Sequence, residues 1–188
     1  MDIILNPKEI SCLQSLIIFG LSSSLTLTKA LPSTGKLFPA AICAFAKSQI
    51  AAGNNLPVEG NAFVSVKDDD KPKIIKLCKQ LISLGFNIIS TQGTHKFLSN
   101  HSIDSQIINK VKEGHPNIVD LIKENKIDIL MNTTLTKKEI LESFSIRRTA
   151  LTRQVPYFTT IAGSFAAVDA IAYLQKGEIN VKPLQEYF

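Results

Sequence analysis

From Gly60 onward, short runs of β-branched and aromatic residues alternate with stretches whose apolar residues recur at helical spacing. Such alternation leaves few folds open. The strand-like runs are Asn61–Val66, Phe86–Ser90, Ser105–Ile108, Ile127–Met131 and Tyr157–Thr160. Between them, Asp68-Asp69-Asp70 and Pro72 mark a helix start, with acidic residues at the positive end of the helix dipole and proline in the first turn. Ile74, Ile75, Leu77, Cys78, Leu81 and Ile82 follow as one apolar face, and Gly85 ends the helix. Further helices are expected over His95–His101, Asn117–Glu124, Lys137–Leu151 and Ser164–Gln175. Strands that alternate with helices at this spacing must be joined by crossovers. The predicted fold is therefore an α/β three-layer sandwich, Rossmann-like, with a mostly parallel five-stranded sheet.

Residues 1–59 differ from the rest and are read as a short, mainly helical leader before a domain spanning 60–188. Ile10–Leu31 is apolar but interrupted by Ser and Thr, too broken for the ~20 apolar residues of a membrane span. It also lacks the positive n-region of a secretory signal. A membrane role is not expected, and the cytoplasm is the expected location. Phe38–Ala52 has helical periodicity and stops at Gly53-Asn54-Asn55-Leu56-Pro57.

Composition narrows the function. The 21 Lys and Arg against 16 Asp and Glu give a net charge of +5, which favours anionic partners. The basic residues are dispersed, without the runs or interleaved aromatics of a nucleic-acid face, so a small phosphorylated ligand fits better than nucleic acid. Cys12, Cys43 and Cys78 form no CxxC pair, and His95, His101 and His115 lack metal-ligand spacing with one another. No metal or cofactor is expected.

Two strand ends carry the candidate chemistry, because ligands of open parallel sheets bind at the carboxyl edge. Thr91-Gln92-Gly93-Thr94 offers a glycine that admits a ligand to the backbone, outward N–H groups and two hydroxyls. Thr94 would serve equally as a helix N-cap. Asn132-Thr133-Thr134 adds an amide and two more hydroxyls, or alternatively a capped turn. Lys71 and Lys110 follow the first and third strands and bring ammonium groups to the same rim. No paired acid, base or nucleophile accompanies them, so no catalytic residue is assigned. Asp68, Asp69 and Asp70 read as a solvated helix cap, and Arg147-Arg148 as an exposed helical face.

Phe63-Val64-Ser65-Val66-Lys67-Asp68, Thr91-Gln92-Gly93-Thr94, Asn109-Lys110-Val111-Lys112-Glu113-Gly114, Asn132-Thr133-Thr134 and Ile146-Arg147-Arg148 together resemble the C-terminal allosteric domain of the carbamoyl-phosphate synthase large subunit. This is a methylglyoxal-synthase-like fold, and the resemblance covers roughly the last two thirds of the chain. It implies a regulatory domain that binds UMP as inhibitor and IMP as activator. Carried over by motif, the contacts fall on Lys71, Thr91, Gly93, Thr94, Lys110, Asn132, Thr133, Thr134 and Ser143.

The resemblance also implies partners: the remaining portions of the synthase, since the ATP-grasp cores that perform its chemistry are missing from this sequence. The chain would then be a separately encoded or truncated allosteric piece, or a gene remnant, and self-association stays open. Ser33-Thr34-Gly35-Lys36 and Phe45-Ala46-Lys47-Ser48-Gln49 resemble the end of the second ATP-grasp half, although Lys36 stands where that family has an acid. The ornithine site's Asp-Thr-Thr run is Phe158-Thr159-Thr160 here, and a phenyl ring cannot neutralise an ammonium. Two alternatives remain: a methylglyoxal-synthase-type phosphate lyase, whose Gly-Gly-Asp run is replaced by Glu113-Gly114-His115, and a vestigial structural or oligomerising domain.

Overall fold

The computed structural model describes residues 39–134 and 143–177. Readings placed on residues 1–38, including Ser33-Thr34-Gly35-Lys36, and on the helix start at Lys137 lie outside the described residues. The sheet has five strands: β1 (Gly60–Ser65), β2 (Phe86–Thr91), β3 (Gln106–Ile108), β4 (Ile129–Asn132) and β5 (Tyr157–Phe158). All neighbours are parallel, in the order β3-β2-β1-β4-β5. The described helices are α1 (Pro39–Ala51), α2 (Lys71–Ser83), α3 (Gln92–Ser99), α4 (Ile118–Lys123), α5 (Phe144–Thr152) and α6 (Ile161–Gln175).

Strand side chains alternate between faces, and here each face is apolar. Ala62 and Val64 of β1, with Ile88, Ile129 and Met131, join a core that includes Ile74 and Leu77 of α2 and Ala167 and Ile171 of α6. Phe63, Ile89 and Leu130 point the opposite way and meet Ile118 and Ile122 of α4 and Ile146 and Ala150 of α5. A sheet that is apolar on both faces must be covered on both, so the three-layer sandwich follows. From the leader, α1 packs against α6 and buries Ala46 in the first of these cores.

α2 follows a 3-10 turn formed by Asp68–Asp70, with Pro72 in its first turn as expected. Its buried face is Ile74, Leu77, Cys78 and Leu81, whereas Ile82 is 44% exposed, one step of helical rotation too far round. The Cys78 thiol is pushed up to about 12 by burial and sits as an inert apolar group. The aspartates are not uniformly solvated. Asp70 is buried and accepts a hydrogen bond from Lys73 Nζ at 3.1 Å, while Asp68 remains exposed.

Two other helices begin earlier than the apolar pattern alone indicates. α6 starts at Ile161 because Thr160 caps it, its Oγ1 accepting the Gly163 N–H at 3.1 Å. α3 starts at Gln92, directly from β2. The chain leaves β1 toward β2 and β3 on one side, then crosses back to β4 and β5 on the other. The strand order thus reverses between β1 and β4, and a crevice opens there at the carboxyl edge.

Candidate functional site

The exit of β1 with the first turn of α2, the start of α3, the loop after β3, the start of α4, the exit of β4 and the start of α5 converge on that crevice. They enclose a cleft of about 630 Å³. All nine residues named from the sequence line it. Lys71 enters from the first turn of α2; Thr91, Gly93 and Thr94 from the β2–α3 junction; Lys110 from the loop after β3; Asn132 from the end of β4, with Thr133 and Thr134 just beyond it; and Ser143 from the start of α5. Phe63, Ile118 and Ile146 add apolar surface.

The hydrogen bonds at the rim decide how the hydroxyls face. Val66 N–H donates to Thr94 Oγ1 at 3.4 Å, and Lys67 N–H donates to Thr133 Oγ1 at 3.2 Å. A backbone N–H can only donate, so each threonine oxygen is engaged as an acceptor and its own O–H remains to donate elsewhere. Ser65 Oγ and Thr91 Oγ1 lie 3.1 Å apart and share one hydrogen, which leaves the pair a second O–H to offer. These hydroxyls therefore present donors. The first N–H groups of α3, which no intrahelical carbonyl can satisfy, point outward from the same edge.

Thr94 is consequently not the N-cap of α3. That position belongs to Thr91, whose hydroxyl pairs with Ser65 rather than capping the helix. Gly93 has an ordinary helical backbone, and a Cβ built on it would meet only Lys71 Nζ, at 3.9 Å. What the glycine secures is room on the cleft side of the turn rather than an unusual φ.

The cleft's charges are mixed: Lys67, Lys71, Lys110 and Lys112 line it together with Asp68, Asp69 and Glu113. Glu113 Oε2 accepts the Lys110 N–H at 2.9 Å and so closes the loop after β3. Lys71 Nζ contacts Asp68 Oδ1 at 2.6 Å, and this ammonium holds the Asp68 carboxyl below the usual carboxylate range. Among the described residues, no group of three or more His, Cys, Asp or Glu is placed to hold a metal ion.

Several participants were missed from sequence. Ser65 falls within a predicted strand, and its only signal was a hydroxyl at that strand's carboxyl end. Arg147 is half-buried rather than on an open face. Its Nε donates to Tyr157 Oη at 3.2 Å and its guanidinium lies 5.8 Å from the ring centre, while Arg148 is exposed as expected. The same Tyr157 Oη accepts from Asn132 Nδ2 at 3.4 Å, so one phenol braces both the amide at the end of β4 and α5. Outside the cleft lining, His115 Nδ1 meets Asp120 Oδ2 at 2.5 Å. Asp120 is held in turn by the Asn117 N–H at 3.0 Å within the capping box of α4. Phe158 packs partly buried against the first core.

A parallel three-layer domain with a donor-lined crevice where its strand order reverses belongs to the class of α/β domains that hold ligands at the carboxyl edge. Within that class, residues 73–159 match the family model described as MGS-like domain. The carbamoyl phosphate synthase large chain of Myxococcus xanthus is 51% identical over 144 residues, which is 77% of this chain and 13% of the relative. The corresponding protein of Mesorhizobium japonicum is 47% identical over 145 residues, 77% of this chain and 12% of its own length. A carbamoyl phosphate synthase large chain, C-terminal section, of Methanopyrus kandleri is 44% identical over 144 residues, 76% of this chain and 27% of that section. Residues 73–159 are thus an MGS-like domain, and the chain around them is similar to part of the carbamoyl phosphate synthase large chain. It spans a small part of the length of these relatives.

Proposed function

We propose that the cleft binds the phosphate of a nucleoside monophosphate of the UMP or IMP class, as an effector of a carbamoyl phosphate synthase, and that this chain performs no chemistry of its own. The observation that carries this reading is the convergence of the rim hydroxyls with an ammonium and a helix start in one cleft. Thr94 and Thr133 each accept one backbone N–H at Oγ1 and keep an O–H to donate, beside the Lys71 ammonium and the start of α3. Such an array stabilises an anion rich in acceptor oxygens. The apolar surface of Phe63, Ile118 and Ile146 suits the rest of a nucleotide.

Effector binding has a regulatory outcome only if the ligand discriminates between two states of a larger assembly. The remaining portions of the synthase are the proposed partners, in the cytoplasm and without a cofactor bound to this chain. Among the described residues, no helix is long and apolar enough to cross a membrane. The pairing of His115 with Asp120, outside the cleft lining, supports binding over a lyase reaction.

Titration with UMP, IMP and inorganic phosphate, followed by thermal denaturation and calorimetry, tests the proposal. A ligand that binds only the folded state raises the midpoint by mass action, adding about 2.7 kcal/mol of stability at a hundredfold excess over Kd. A folded sample that shows no shift and no heat with any of the three at millimolar concentration would refute the reading and leave the vestigial one.

A further inference from the structure

We propose that Asp68 is an internal competitor within the anion site: its carboxylate occupies Lys71 while the cleft holds no phosphate, and must release it when a phosphate binds. Asp68 thereby becomes an affinity-determining residue of the cleft. The inference rests on the reading of the site given above.

The two partners are unequally placed. Lys71 Nζ and Asp68 Oδ1 are 2.6 Å apart, yet the lysine side chain is only 21% exposed and the aspartate 90% exposed. The ammonium faces the first turn of α3: a Cβ built on Gly93 would lie 3.9 Å from Lys71 Nζ. A cation held at the positive end of a helix needs an anion beside it. Asp68 supplies that anion from the solvent side, and its depressed carboxyl titration reflects the same contact.

Neither of the other two aspartates in the turn has this arrangement. Asp70 is buried and engaged with Lys73 at 3.1 Å and Lys67 at 4.0 Å, so it supports the turn. Asp69 lines the cleft and is exposed, and among the described residues it makes no ion pair with Lys71. Asp69 is therefore a built-in control, a charge in the same lining without the same contact.

The exchange favours phosphate. The Asp68 carboxylate reaches Lys71 from outside, whereas a phosphate in the cleft would meet the same ammonium together with the Thr94 hydroxyl and the outward amides of α3. An exposed ion pair in water is weak, so displacing Asp68 lowers phosphate affinity only by roughly two- to fivefold.

Calorimetric titration of inorganic phosphate and UMP into the wild type, Asp68→Asn, Asp69→Asn, Lys71→Met and the Asp68→Asn/Lys71→Met double variant tests the inference. Asp68→Asn keeps the size of the side chain and one acceptor oxygen while removing the charge. It is expected to tighten binding of both ligands about two- to fivefold, Asp69→Asn less, and the gain is expected to vanish in the Lys71→Met background. Asp68→Ser, at the same exposed position, is expected to repeat the gain should the Asn variant fold poorly. Equal or weaker binding by both Asp68 variants overturns the inference, as does an equal gain from Asp69→Asn or a gain that persists without Lys71. In each of those cases the anion site itself stands. Absence of binding by the wild type and all variants overturns the site reading and this inference together.

Discussion

The Lys67 amide donates to Oγ1 of Thr133 across 3.2 Å, joining the exit of β1 to the exit of β4 where the strand order reverses. Thr133 is buried, and its own amide donates back to Ser65 O at 3.1 Å. Thr133→Val preserves the shape but removes the acceptor. We expect a loss of about 1–3 kcal/mol in denaturant unfolding from the orphaned Lys67 N–H. Phosphate affinity should fall about tenfold or more, the usual scale for losing a hydrogen bond to a charged group. A variant with undiminished calorimetric affinity would remove Thr133 from the site.

Gly93 offers the opposite separation. Its backbone suits any residue, and a Cβ there meets only the Lys71 ammonium. Gly93→Ala is therefore expected to leave the thermal midpoint unchanged or raise it, since alanine is favoured over glycine in helices by up to about 1 kcal/mol. The methyl group fills space on the cleft side, so binding of UMP or phosphate should weaken. A stable variant that binds normally would show that the ligand does not approach this turn.

Lys110 is exposed and reaches the rim from the loop after β3, where Glu113 accepts its backbone N–H rather than its side chain. Lys110→Ala should thus spare the fold and weaken phosphate binding by about three- to tenfold at low salt. The difference from wild type should shrink as added salt screens the contact. Affinity measured at two ionic strengths checks both parts, and a salt-independent effect would point to a loop rearrangement instead.

The Asp120 carboxyl titrates below its ordinary 3.8, chiefly through its hydrogen bond with His115 and then that with the Asn117 amide. A depressed folded-state value means that this contribution to stability is present above pH 3.8 and is lost as pH falls through the lowered value. Asp120→Asn is therefore expected to be less stable than wild type at neutral pH, with the two midpoints converging below pH 3.8. Parallel thermal melts across that range would detect it, and a constant gap would assign the cost to packing rather than charge.

Much of the site was legible because strand ends can be read locally. A run such as Ile127–Met131 that gives way to Asn132-Thr133-Thr134 marks a carboxyl edge, and parallel sheets collect such edges on one side. The nine named residues therefore fell in one cleft. Ser65 escaped because its importance lies in a partner 26 positions away, Thr91, and nothing local marks that pairing. Arg147 escaped for a related reason. Helical periodicity left it on an open face, and Tyr157, ten positions on, folds back beneath it through β5.

By itself, the sequence determined the alternation of strands and helices that implies a three-layer sandwich, and the polar residues available at the sheet's edge, because periodicity and turn chemistry act over a few residues. Tertiary structure alone decided the central place of β1, the backbone N–H partners of Thr94 and Thr133, the burial of Asp70 and the pairing of Lys71 with Asp68 in the cleft. Most of these depend on register between distant segments: the Lys67 and Thr133 that meet at 3.2 Å are 66 positions apart. The Lys71–Asp68 pair is local, three positions apart, but it takes its significance from α3, which the fold brings up against the same ammonium.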